Sequence, residues 1–395
     1  MSDNKRTRIP RRGPWRRRRR WVAGAAGLLA LLTLVACTST ITGQAKPAAT
    51  SGAGGSQLSD RTPISTPGQS AAADSAGYTE VYPGIVANTV QLDSVQKAAE
   101  LRRIDPCALH DVAAAAQSTG MTPSSIMPTP KLSSCTLDVS PKDNPLDEYA
   151  LIINVGTLFS PKVEAQEKTQ HGGVDFFRIN SPIGDSSQSC TYVKKFSERF
   201  GIDLTVSAHT SSKTKDTCQI GAAYLDAVAK YWVKPATRAD HISTPVLSIA
   251  EFDPCAALST PAKSLGRKVT PLVSEPFTCS LLPTEIVPGE KLIASGLVQL
   301  SVHLKSENRD GDNAPKDYKV TSVTVAGHKA RQREFTDHHG SQKCELAVQI
   351  DTDKVALTAD ATSQAVRPDV QTFTASSPDC ARSTQALESA LALLG

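Results

Sequence analysis

The chain is poor in aromatic side chains. Nine Phe, seven Tyr and three Trp make up 5% of its 395 residues. Two of the tryptophans, Trp15 and Trp21, fall near the N-terminus, which leaves Trp232 alone in the portion expected to fold. No basic–aromatic interleaving is present, so the stacking platforms that read single-stranded RNA are excluded. No apolar run reaches the roughly 20 residues that a helix needs to cross a bilayer. There is no Gly-x-Ser-x-Gly elbow, no His-Glu-x-x-His pair and no glycine-rich phosphate cradle; the stretch SGAGGS lies in a segment too polar to fold. Hydrolase-elbow, zincin and P-loop chemistries lose their usual signatures with these absences.

Basic residues are concentrated at one end. Residues 1–36 hold ten of them, Lys5, Arg6, Arg8, Arg11, Arg12 and Arg16 to Arg20, against the single acid Asp3. That segment carries +9; the whole carries +4, so the remainder carries −5. A mildly acidic body argues against nucleic acid as a partner, because phosphate backbones bind basic surfaces. The Arg run reads instead as the head of a secretory leader, since the apolar stretch Val22–Ala36 follows it directly. The stretch closes on Leu34-Val35-Ala36-Cys37, which resembles the bacterial lipobox. That resemblance implies cleavage before Cys37, a diacylglycerol on its sulfur, and residence on the outer face of the cytoplasmic membrane. Thr38 to about Gly77 is rich in Gly, Ser, Thr, Ala and Pro and cannot bury enough apolar surface to fold. It reads as a tether with an r.m.s. span of roughly 35 Å.

Beyond Cys37 stand Cys107, Cys135, Cys190, Cys218, Cys255, Cys279, Cys344 and Cys380. An even set in an exported protein reads as disulfides. The eight form two sets of four. Each set opens on Asp-Pro-Cys-Ala, at Asp105–Ala108 and Asp253–Ala256. Each places its third cysteine after Ser-Gln-x and its fourth after an aspartate, ahead of an Ala/Leu-rich segment. The chain therefore contains two diverged copies of one domain. In each opening phrase the aspartate suits an N-cap and the proline suits N1, which puts the cysteine in the first turn of a helix. Pro261 limits or restarts the second of these helices. SSCTLDVS, DEYALIINVG, CTYVKKF, GIDLTVSAH, SGLVQLSVHL, KVTSVTVAG, CELAVQI and KVALTADAT alternate like strands. Leu387, Leu391 and Leu394 share one face of a closing helix, as do Tyr224, Leu225, Val228 and Trp232 in the first copy.

The expected fold is α+β: two tandem disulfide-stapled domains, each a mainly antiparallel sheet with helices packed on one face. The expected boundaries are 1–36 leader, 37–77 lipidated cysteine and tether, 78–238 first domain and 239–395 second domain. Four cysteines allow three pairings within each copy. The sequential one is favoured, Cys107–Cys135 with Cys190–Cys218 and Cys255–Cys279 with Cys344–Cys380.

The lipobox, the polar tether, the DPCA phrase with three further cysteines, and the Ala-rich last helix together resemble a family of actinobacterial lipoproteins built on a domain of unassigned function. The two-disulfide layout and VTVAGHKARQ (Val323–Gln332) are also similar, more distantly, to the extracellular sensor domain of PknH-type kinases. Both likenesses imply location and fold; neither brings catalytic residues.

Catalytic and metal readings of individual residues are weak. Ile183–Cys190 is rich in serine, but a strand follows where a hydrolase would place a helix. Asp337, His338, His339 and Cys344 cluster in sequence, yet adjacent histidines do not converge on a strand. Glu307, Asp310, Asp312 and Asp317 supply calcium-type oxygens without EF-hand spacing. His110 and His209 stand alone. The sequence thus predicts a non-enzymatic surface lipoprotein without cofactor or metal, anchored to the membrane by lipid and binding an envelope lipid, glycan or protein. The cleft between the copies is the expected site. One alternative is a cell-wall hydrolase with carboxylates such as Asp147–Glu148, or Glu285 with Glu290, assembled only in the fold. The other is a structural interaction scaffold.

Overall fold

A computed structural model describes residues 77–394, apart from 142–147, 184–186, 209–215, 240–246, 287–289, 291–295, 306–317, 338–339 and 360–365. The leader, Cys37, the tether, His209, Asp147, His338, His339 and the acidic stretch Glu307–Asp317 lie outside the described residues.

The described chain opens with a hairpin, β1 (Thr79–Tyr82) and β2 (Ile85–Ala87), and then α1 (Thr89–Arg102). The first copy follows with a 3-10 turn at Cys107–Leu109 and α2 (Val112–Thr119). Then come β3 (Thr122–Pro128), β4 (Ser134–Ser140), β5 (Tyr149–Leu158), the one-turn α3 (Pro161–Glu164) and β6 (Glu167–His171). It closes with β7 (Val174–Ile183), β8 (Ser187–Lys195), β9 (Phe200–Ala208) and α4 (Thr217–Val228). The second copy runs α5 (Pro254–Ala257), α6 (Ser259–Ser264), β10 (Val269–Glu275), β11 (Thr278–Pro283), β12 (Val298–Lys305) and β13 (Lys319–Val325). It ends with β14 (His328–Thr336), β15 (Gln342–Ala359), β16 (Val366–Ser377) and α7 (Cys380–Ala392).

The strand orders match position for position. The first sheet is β3-β4-β5-β9-β8-β7-β6, and the second contains β10-β11-β12-β16-β15-β14-β13. All these pairings are antiparallel. The repeat seen in the cysteines is therefore a repeat of the whole fold. It also fixes an alignment. Cys135 lies opposite Ile153, which lies opposite Leu204; Cys279 lies opposite Leu300, which lies opposite Ala375.

Four disulfides form, and they are the sequential ones: Cys107–Cys135, Cys190–Cys218, Cys255–Cys279 and Cys344–Cys380. Each ties a helical turn to a strand. An aspartate caps the turn each time. Asp105 accepts from Cys107 N at 3.0 Å, Asp253 from Cys255 N at 3.0 Å, and Asp216 from Cys218 N at 2.8 Å. Asp379 accepts from Arg382 N at 3.0 Å. The cap satisfies an orphan donor and aims the cysteine at its sheet in one stroke. Loops of 24 to 36 residues correspond to about 3–4 kcal/mol per bond in the chain-entropy picture.

The first helix differs from expectation. The turn that begins at Cys107 stops at Leu109, because His110 is extended (φ −84°, ψ 147°). The imidazole turns inward, with Nδ1 3.1 Å from Tyr224 Oη and Nε2 3.2 Å from the Cys135 carbonyl. Asp111 then caps a second helix through Ala114 N, and Gly120 ends it in the left-handed region. In the second copy Leu258 separates α5 from α6, and Pro261 sits in the first turn of α6, where its missing N–H leaves nothing unpaired. CELAVQI and the start of KVALTADAT, read as separate strands, belong to one long strand, β15, which runs to Ala359 with a register shift between Ile350 and Val355.

The boundary between copies is interleaved. Residues 79–87, placed by the sequence reading in the first domain, join the second sheet: β2 pairs in parallel with β10 through Ile85 and Val269. Arg102, at the end of α1, is buried; its guanidinium lies 3.2 Å from Asp253 Oδ2 and donates to the Pro276 carbonyl at 2.9 Å. Tyr82 donates to the same carboxylate at 2.6 Å. Arg238 donates to the carbonyls of Leu132 and Arg102. Leu304 N donates to Pro130 O at 2.8 Å. Gly156 (φ +91°) lets Pro276 approach so closely that a Cβ would lie 2.2 Å from its Cγ. One continuous hydrophobic core runs through both copies, including Trp232, Tyr149, Tyr192, Phe200 and Phe373.

Candidate functional site

Among the described residues the crevice between the copies is small. The crevice there, lined by residues such as Asp105, Pro128, Arg238, Leu247 and Leu304, holds about 10 Å³. That is room for no more than a single water.

A larger groove of about 350 Å³ opens on the second sheet, on the face away from α7. Strand alternation builds it. Along β12, Val298, Leu300, Val302 and Leu304 point into the core, whereas Gln299, Ser301, His303 and Lys305 take the other face. Next to this row stand Thr374 and Thr372 of β16, then Ala347 and Gln349 of β15, then Arg331 of β14 and Ser322 of β13, each opposite its neighbour in register. Among the described residues, Lys305, Ser322, Lys329, Arg331, Gln349 and Thr372 line the groove, with Val320, Thr321, Ala330 and Ala347. Lys305 belongs to one wall, Lys329 and Arg331 to the other, and the floor is small and neutral. Three inter-strand steps separate the walls, about 14 Å. Long basic side chains can converge over a floor of that width.

His303 lies beside the groove floor. Its Nε2 is 3.2 Å from Thr374 Oγ1. Burial, assisted by the Lys305 charge, pulls its pKa down to about 4. The ring is therefore neutral at pH 7 and adds no charge to the groove.

The equivalent face of the first copy is closed. Pairing partners place Phe177 where the second copy has Arg331, because Phe177 opposes Val193 as Arg331 opposes Ala347. Phe159 takes the position of Lys305: its N–H bonds Arg199 O, just as Lys305 pairs with Val370. Gly201 takes that of Thr372, and Asp175 that of Lys329. Phe159 and Phe177 make an edge contact with centroids 5.4 Å apart. Val193 fills the space over Gly201 so tightly that a Cβ on the glycine would lie 2.7 Å from it. Deeper on this face, Asp203 is buried and accepts from Thr157, from Asn154 at 2.9 Å and from Thr205 at 3.2 Å. Burial pushes its carboxyl pKa up, and these donors act against the shift. One fold thus carries an aromatic plug in the first copy and an open basic groove in the second.

The residues singled out in the sequence fall elsewhere. All eight domain cysteines are spent in disulfides. Glu290 pairs with Arg267, which also donates to the Glu285 carbonyl at 3.2 Å. Glu148 accepts from Ser124. Asp337 accepts from Ser341 N in a turn. Among the described residues no group of three or more His, Cys, Asp or Glu converges as a metal site, and no helix is long and apolar enough to cross a membrane. The groove residues were present in the sequence as HKARQRE, where Lys329, Arg331 and Arg333 recur at every second position. That period puts all three on one strand face. The signal was readable, but it gains meaning only when set against the first copy. Neither a protein-family model, nor a curated protein, nor a solved structure matches this chain.

Proposed function

We propose that this chain is a non-enzymatic lipoprotein, held at the outer face of the cytoplasmic membrane by lipid on Cys37. It binds an envelope ligand in the groove of its second copy. The observation that carries this reading is the divergence at equivalent positions. Phe159, Phe177 and Val193 fill the site in the first copy; Lys305, Arg331 and Ala347 leave it open in the second. Among the described residues of its duplicate the same face is filled. In this reading the first copy is a structural partner, clasped to the second through Arg102 and Asp253.

The test is native mass spectrometry of the mature protein, purified gently from its own envelope. An extra mass that leaves on denaturation is expected. It should be missing from the double variant Arg331→Phe/Ala347→Val, which rebuilds much of the plug of the first copy. A bare polypeptide mass in both would overturn the reading and favour a protein-interaction scaffold. The anchor is tested separately, by metabolic labelling with a fatty acid: Cys37→Ala should abolish incorporation.

A further inference from the structure

We infer that β13, the outer strand of the second sheet, pairs antiparallel with β13 of a second copy of this chain, about a twofold axis at Ser322, so that two sheets join into one. Among the described residues β13 has a neighbour on one side only, β14. Lys319, Val320, Ser322 and Thr324 are exposed, and Thr321 and Val323 are half-buried. From Val320 to Val325 the strand reads VTSVTV, with no charge and no proline. Folded proteins ordinarily blunt such an edge with charge, proline or a covering element, because its open row of N–H and C=O groups is a template for another strand.

The first copy shows that ordinary treatment at the same positions. β6 and β13 each run into a two-residue turn with both central residues at positive φ, Gly172-Gly173 in one and Ala326-Gly327 in the other. The turns align the strands: Glu167 corresponds to Thr321, Lys168 to Ser322, Thr169 to Val323, Gln170 to Thr324 and His171 to Val325. In β6 Glu167 pairs with Arg178 and Lys168 with Asp175. His171 is buried, with Nδ1 2.9 Å from Asp226 Oδ1. The second copy has valine, threonine and serine throughout, residues that pack well against a neighbouring strand.

The register follows from the turn. In a hairpin of this kind the residues that flank the turn, Val325 and His328, exchange hydrogen bonds. Alternation then directs the N–H and C=O of Lys319, Thr321, Val323 and Val325 towards β14, and those of Val320, Ser322 and Thr324 outwards. A mate centred on Ser322 uses every outward group: Ser322 meets its own equivalent, and Val320 meets Thr324 of the second copy on either side of the axis. Thr321 then faces Val323 of the second copy, a β-branched pair. Lys319, the strand's one cation, faces Val325, so no like charges are opposed. The pairing is independent of any ligand in the groove.

The experiment uses the chain from residue 37, which contains every described residue, with Cys37→Ser to remove the cysteine outside the disulfides. A strand pair buries less than a standard interface of about 1,200–2,000 Å², so sedimentation is followed over a concentration series reaching about 500 µM. A reversible monomer–dimer equilibrium is expected. Ser322→Lys restores the residue of the first copy and sets two ammonium groups opposite each other at the axis. It should weaken association about fivefold or more and leave the urea midpoint unchanged. Under mild oxidation Ser322→Cys should give a disulfide-linked dimer, because its Cα lies about 5.5 Å from its mate. Thr324→Cys should not, because its mate lies about 14 Å away along the strand. A monomer throughout the series, or growth beyond a dimer, overturns the inference. So does a dimer indifferent to Ser322→Lys in a folded protein, or one that links through Thr324→Cys and not through Ser322→Cys. A monomer that binds a foreign extended peptide along β13 also overturns it, and leaves the edge as a docking strand for another protein.

Discussion

Acid should weaken this fold well before its carboxylates are protonated, and two histidines set the size of the effect. The rings of His110 and His303 have their pKa values drawn down to about 4, chiefly by burial. In the unfolded chain each titrates near 6.5. Between those two values the unfolded state binds more protons, so stability falls as pH drops through 6.5 and levels off below 4. Going from pH 7 to pH 5 should cost about 2 kcal/mol per ring, or about 4 kcal/mol together. That is a large part of the 5–15 kcal/mol typical of a domain. Asp203 acts with the opposite sign, because its raised pKa favours the folded state as pH falls. Asp175, Glu334 and Asp351 have lowered pKa values, and their contributions are lost only under more acidic conditions. Urea unfolding at pH 7 and pH 5 isolates the histidines if wild type is compared with His303→Gln and His110→Gln. Glutamine keeps a hydrogen-bonding side chain without a titrating ring. Each variant should shrink the difference between the two pH values by about 2 kcal/mol, with the m-value unchanged. A variant whose pH difference equals that of wild type would refute the assignment of the acid sensitivity to that ring.

Three further outcomes follow from the joint and the staples. Gly156→Ala forces a Cβ against Pro276 at a backbone angle of φ +91°; it should destabilise by about 2–4 kcal/mol, read as a lowered urea midpoint. Arg102→Met leaves the Asp253 carboxylate without its buried cation. It should cost about 3–5 kcal/mol, and Asp253→Asn combined with it should recover part of that loss in a double-mutant cycle. Non-reducing peptide mapping should link Cys107 to Cys135 and Cys344 to Cys380, and removing the first pair as Cys107→Ala/Cys135→Ala should lower stability by about 3–4 kcal/mol.

What could be read from the sequence was what is written locally or covalently. Asp-Pro-Cys carries its cap, its first helical residue and its staple within three positions, so the turn and the repeat were both visible. The paired cysteines implied matching sheets, and the strand orders agree. The break at His110 was not visible, because its cause is Tyr224, more than a hundred residues away, which offers a hydroxyl to the inward-turned ring. Joining CELAVQI to the run that ends at Ala359 required β16 as a template along both halves. The groove had a local trace in Lys329, Arg331 and Arg333. Its opposite wall, Lys305, comes from β12, three places across the sheet from the β14 that carries Lys329 and Arg331, and no local pattern relates the two walls. The closed counterpart in the first copy became recognisable only through register, since Phe159 aligns with Lys305 only after the bulge beside Gly156 is counted.

The pairing of β2 with β10 has a consequence for the order of assembly. A chain made from its N-terminus presents residues 79–87 first, yet their sheet partner at Val269 arrives only after the whole first copy. Until then the leading hairpin has an open edge, and Arg102 is a cation waiting for the carboxylate of Asp253. The first copy holds all four of its cysteines before Asp253 is reached, so the clasp closes late, and it closes on the copy that carries the groove. Pull on the N-terminal end of the described chain would likewise enter through β1 and β2 at the edge of the second sheet. A chain ending at residue 238 would keep two strands with no sheet and a buried arginine with no acid. It should therefore be far less stable than its own four cysteines suggest.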